Sequence, residues 1–183
     1  MYYSVASGAM EYALTHEDST FLNFRDHPFQ RRYAHAYRWV DIKRLRLPAA
    51  PLADRELLTA LIGHEQFRDD YAGGGVTPDG MRHGPYWLSR VTPEAYEPVR
   101  AAEAARQLWE WADQYEPVPV GLAADLRTES TVDDWAEADC VYRLTELADD
   151  AYHDWGPVHG EFHEFVIIDR GARRMTVLVA ADD

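Results

Sequence analysis

Residues 153–165, HDWGPVHGEFHEF, place three histidines and three carboxylates within thirteen positions. Those residue types do one of two jobs when they converge: they hold a divalent metal, or they move protons. In an extended segment side chains alternate, so His159, Glu161 and His163 share one face at intervals of roughly 6.6 Å. Two imidazoles and a carboxylate suit iron or zinc, with open positions where a zinc-bound water ionises near pH ~7. His153 and Asp154, across the Gly156-Pro157 turn, would support them.

Geometry argues against a purely local metal site. Donors at i, i+2 and i+4 of a straight strand lie along a line, with the outer Cα atoms about 13 Å apart, whereas a metal needs its ligands to converge. HGEFH also carries Gly where the HExxH metalloprotease motif needs its glutamate. His153, His159, Glu161 and His163 therefore stand as acid–base or metal candidates against a plainer alternative, the solvated outer end of a strand. No cofactor is predicted, and a divalent metal remains an open expectation.

A second constellation lies at residues 31–47, RRYAHAYRWVDIKRLRL, where basic residues interleave with Tyr33, Tyr37 and Trp39. Arg31, Arg32, Arg38 and Arg44 are its anion-binding candidates. Arginines on phosphates with aromatics stacked on bases is the recipe for single-strand binding. The formal charge of −14 opposes it at long range, and no RNA- or DNA-binding motif accompanies it. Nucleic acid therefore ranks last among the partners, and internal pairing of this stretch ranks first.

Charge is unevenly spread. Residues 25–46 carry net +5, whereas residues 129–183 hold four basic residues against fourteen acids. Trp135 and Trp155, with Asp133 and Asp134, fall in the acidic third and are candidates for a protein-binding patch, an indole anchor ringed by carboxylates. The preferred functional expectation is a non-catalytic binding or regulatory protein that engages a basic partner through this third. The alternative is a small metal-assisted or His/Glu acid–base enzyme, hydrolase-like, built around residues 153–163. Neither oligomeric state nor reaction follows from the residues.

The elements that must position these residues follow from periodicity. Length and composition, 46% apolar and 27% charged, fit one α+β domain spanning residues 1–183. The single Cys140 leaves no disulfide or CxxC pair, and no secretory signal or spanning helix is apparent, so a cytoplasmic protein is expected. Strands are predicted at 2–6, 37–47 and 85–91, and a hairpin over 161–180 whose second arm is apolar on both faces and so belongs centrally in its sheet. Helices are predicted at about 55–70, from Pro98 to about 115, and over 131–152, with Cys140 inert inside the last. Residues 71–80, YAGGGVTPDG, read as a mobile loop without a phosphate-cradling pattern. A mainly antiparallel sheet of four or five strands, with about three helices on one face, is the expected architecture.

Overall fold

The structure, a computed structural model, describes residues 13–31 and 37–182. The strand expected at 2–6 and the candidate Arg32 lie outside the described residues.

Among the described residues six strands form one antiparallel sheet: β1 (Thr15–Asn23), β2 (Arg38–Arg46), β5 (Tyr96–Val99), β6 (Cys140–Leu144), β7 (Phe162–Asp169) and β8 (Arg174–Asp182), in the spatial order β1-β2-β8-β7-β6-β5. Two further strands, β3 (Arg82–His83) and β4 (Tyr86–Trp87), make a small separate hairpin. The α+β class and the carboxy-terminal hairpin match the sequence expectation. β8 lies between β2 and β7, with Leu178 opposite both Ile42 and Phe165. That central place is why MTVLVA is apolar on both faces.

Among the described residues three α-helices complete the fold: α1 (Asp54–Gly63), α2 (Ala101–Ala112) and α3 (Val120–Ser130). They cover both faces of the sheet, not one. On the first face Trp39, Leu45, Val166, Ile168, Met175, Val177 and Val179 pack with Leu57, Leu58 and Leu61 of α1. On the second face Val40, Ile42, Phe165, Ile167, Leu178 and Ala180 pack with Leu108 and Trp111 of α2 and Leu122 and Leu126 of α3. The period of two in β2, β7 and β8 sends alternate side chains into two separate cores.

Several boundaries differ from expectation. Residues 131–152 are not a helix. Thr131 takes a left-handed φ of 50°, a tight 3-10 segment covers Val132–Glu137, and CVYRL then pairs as β6 between β5 and β7. Side-chain packing between two strands overrode a weak helical spacing. α2 starts at Ala101 because Pro98 sits in β5, an edge strand, where a missing amide hydrogen costs no ladder bond. α1 stops at Gly63, and the expected 85–91 strand shrinks to Tyr86–Trp87. β1 and α3 escaped notice because β1 is a largely polar edge and α3 buries only Leu122, Leu126 and Ser130.

Candidate functional site

β7 separates neighbouring residues of the histidine-rich segment. His163 points to the α2 face and Glu164 to the α1 face, as strand alternation requires. Each meets a different polar system.

On the α1 face Glu164 is fully buried. Its Oε2 lies 2.5 Å from His83 Nε2, and its Oε1 accepts the Tyr96 hydroxyl at 2.5 Å. His83 Nδ1 lies 2.6 Å from the Phe67 carbonyl, which can only accept, so Nδ1 carries a hydrogen and Nε2 is the ring atom that faces Glu164. The Phe67 ring stacks on His83 at 3.5 Å. Burial, reinforced by Glu164, pushes the Tyr96 phenol well above its ordinary pKa, so it stays a donor. On the same face Lys43 donates to Asp69 at 2.8 Å, to the Gln66 carbonyl at 3.0 Å and to Tyr71 at 3.2 Å, with Asp41 at 3.5 Å. Burial raises the pKa of Asp41 despite Lys43 beside it. Most of their hydrogen bonds are made to one another or to nearby backbone carbonyls, whereas among the described residues the buried Asp41 Oδ2 accepts none.

At the end of the sheet where β5, β6 and the start of β7 lie, a cleft of about 410 Å³ opens, lined among others by Glu97, Gln107, Arg143, Glu146, Glu161 and His163, with Tyr86, Tyr152, His159 and Phe162 from the side of the first core. Glu97 and Arg143 stand opposite each other in the β5–β6 pair and form an ion pair. Arg143 Nη1 donates to Gln107 Oε1 at 2.9 Å, which turns the amide nitrogen of Gln107 toward His163 Nδ1 at 3.2 Å. Nδ1 must then accept, leaving Nε2–H to donate to Glu161 Oε2 at 3.1 Å. One hydrogen-bonded line thus runs from Glu97 to Glu161 along the cleft. Burial works against ionising Glu161, but hydrogen bonds from Gln114 and His163 outweigh it and hold its pKa below the usual carboxylate range.

His153 and His159 do not join this line. His153 Nε2 donates to the Gly84 carbonyl at 2.7 Å, and its Nδ1 accepts the Trp155 amide at 3.1 Å. Burial lowers its pKa. His159 is buried with Nε2 2.9 Å from the Asp70 carbonyl. Three of the four candidates, His159, Glu161 and His163, line the same cleft and His153 does not, but among the described residues no group of three His, Cys, Asp or Glu side chains is placed to hold a metal ion.

The basic stretch is largely folded inward. Arg38 is 2% exposed, donates to the Trp111 and Ala112 carbonyls at the end of α2, and lies 4.0 Å above the Trp111 ring. A guanidinium there meets the negative end of the helix dipole. Its burial lowers its pKa. Arg44 is bound by Asp18 and by Glu129. Arg31 is exposed, and its backbone amide donates to Glu116 at 3.0 Å. Period-two reading of RWVDIKRLR puts Asp41 and Lys43 on the face of Trp39 and Leu45, which is the one signal that could have disclosed the buried cluster.

Trp135 is corrected as an anchor: it is 2% exposed in the second core, and its indole nitrogen donates to the Ser130 carbonyl at 2.9 Å. The 3-10 turn that replaces the expected helix swings the ring inward against Phe165. Asp133 and Asp134 remain on the surface. Trp155 is 60% exposed. Its backbone is fixed by the amide bond to His153, by His153 N–H on the Pro85 carbonyl at 3.1 Å, and by Gly156 N–H on the His153 carbonyl at 2.9 Å. Gly156 is required, since a Cβ there would sit 2.3 Å from the Pro85 oxygen. Cys140 opens β6 and is not in a helix; burial and a hydrogen bond with Asp54 push its thiol up to about 11, so it is not a nucleophile at neutral pH.

Among the described residues no helix is long and apolar enough to cross a membrane. No family model matches the chain, and no curated protein does. Among solved structures, the crystal structure of citrus MAF1 superposes with a TM-score of 0.41 at 13% identity, over 86% of this chain and 92% of that one. A likeness that loose carries no argument about site or function.

Proposed function

We propose that the protein is a non-catalytic binding protein that engages a basic partner through the ledge of residues 146–158 beside the cleft. The observation that carries this reading is Trp155, an exposed indole on a backbone locked by His153 and Gly156. An aromatic anchor held ready loses little freedom on binding. Around it in sequence stand the exposed carboxylates of Glu146, Asp149, Asp150 and Asp154, with Val158 42% exposed. Residues 144–169 contain seven acids and no Lys or Arg.

The charge balance supports the same reading. Lys43, Arg44 and Arg46 find Asp69, Asp41, Asp18 and Glu17, so the acidic third supplies only Glu129 to their ion pairs among the described residues. The carboxylates of the ledge are exposed, and Asp150 pairs with the exposed Arg90 at 3.0 Å. Such a field steers a basic partner and makes association fast and salt-sensitive.

The test is titration with synthetic peptides that pair arginines with an apolar residue, followed at rising salt. Binding that weakens with salt and loses about 2 kcal/mol or more in Trp155→Ala is the expected result. Binding indifferent to salt and to Trp155→Ala overturns the proposal.

A second reading, acid–base chemistry, draws on the His163–Glu161 contact inside the cleft. Both nitrogens of His163 are already engaged by Gln107 and Glu161, so neither offers a lone pair or a hydrogen to a substrate. Turnover of ester or amide substrates that disappears in His163→Ala would favour it.

A further inference from the structure

At the other end of β7, about 23 Å along the strand from the cleft at 3.3 Å per residue, the loop after β2 meets the turn joining β7 to β8. Leu47, Ala50, Leu52 and Leu57 wall a pocket of about 210 Å³ there, and Arg170 and Arg173 stand at its rim. Arg170 is committed, with Nη2 donating to the Leu52 carbonyl at 3.0 Å and to Asp54 at 2.6 Å. Arg173 is exposed, and its Nη2 has only a long 3.4 Å approach to the Leu47 carbonyl; among the described residues it makes no ion pair.

The backbone of Arg173 adds to this. Its φ is 54°, left-handed, a conformation that glycine adopts without strain. The turn is pinned there by Leu47 N–H on the Arg173 carbonyl at 2.9 Å and by Arg173 N–H on the Arg170 carbonyl at 3.2 Å. An arginine held in a strained turn beside an apolar pocket, in a chain of net charge −14, is a local cation against the prevailing charge of the chain.

We propose that this pocket binds an aliphatic carboxylate, its chain among Leu47, Ala50, Leu52 and Leu57 and its carboxylate on the Arg173 guanidinium. The pocket, of about 210 Å³, has room for a short aliphatic chain. Guanidinium and carboxylate pair through parallel N–H···O bonds, which sets the head group. The inference does not depend on the acidic ledge.

Calorimetric titration of the full chain with octanoate tests it. Saturable one-site binding is expected, tighter than that of acetate and of octan-1-ol, and unchanged in Trp155→Ala. Arg173→Gly relieves the left-handed backbone while removing the guanidinium, so its Tm should not fall while octanoate affinity drops about tenfold or more. Should that variant melt early, Arg173→Asn reads the same loss, because Asn also tolerates this conformation. Ala50→Phe fills the pocket and abolishes binding. No saturable octanoate binding, equal binding of acetate or octan-1-ol, or unchanged affinity in Arg173→Gly overturns the proposal.

Discussion

His83–Glu164 and His163–Glu161 are the same chemical pair in opposite surroundings. The first is 2.5 Å apart with side chains 1% and 0% exposed; the second is 3.1 Å apart with side chains 22% and 35% exposed. Both glutamates sit at the start of β7 or just before it, three residues apart, yet strand alternation sends Glu164 to the sealed α1 face while Glu161 stays at the cleft. The difference teaches that pairing type does not decide the role of such groups. Surroundings do. A buried pair must satisfy itself completely and becomes a fixture of the core, whereas the pair at the cleft remains within reach of a ligand.

Removing one partner should break the symmetry of the two pairs most sharply. Glu164→Ala leaves His83 and Tyr96 without their acceptor, and a loss of about 3–5 kcal/mol in denaturant unfolding is expected, the usual cost of stranding half of a buried pair. If it costs no more than the corresponding change at Glu161, the comparison fails. Lys43→Met should act in the same range, because it strands Asp41 and Asp69.

Acidification gives an intermediate effect. Burial keeps His153 neutral below its ordinary value of 6.5, with Arg82 and His159 opposing its charge and Asp70 favouring it. As pH falls through 6.5 the unfolded chain takes the proton before the folded protein does, so stability falls with pH, by up to about 1.4 kcal/mol per unit for this group. Thermal melts at pH 7.5 and 5.5 should show the drop, and His153→Gln should flatten it.

Glu161→Gln is expected to cost less than about 1 kcal/mol, since a half-exposed pair is screened by solvent. The smallest effect on stability belongs to Trp155→Ala, within about 0.5 kcal/mol because its ring contacts solvent. That variant sharpens the contrast: the same substitution should weaken peptide binding while leaving the melt unchanged. A large fall in Tm would instead assign the ring a structural place.

Much of the architecture could be read from residue order because it rests on local periodicity. MTVLVA and FHEFVII announced a two-faced central strand and its partner, and the leucines of α1 announced one amphipathic helix. The readings that failed are those where neighbours in space outvoted local spacing. CVYRL has enough apolar residues at helical intervals to pass for a helix, and only pairing with both β5 and β7 makes it a strand. Pro98 reads as a helix start until an edge position makes it harmless in β5.

The site divides along the same line. The sequence by itself determined the density of titratable groups in 153–165, the excess of acids beyond residue 129 and the alternation that puts His163 and Glu164 on different faces. Only the tertiary structure decided which of those groups meet solvent. His83 reaches Glu164 across 81 positions, Gln107 reaches His163 across 56, and Trp135 turns inward while Trp155 does not. Hydrogen-bond partners and burial are set by distances between segments far apart in the chain, and no local pattern of residue types encodes those distances.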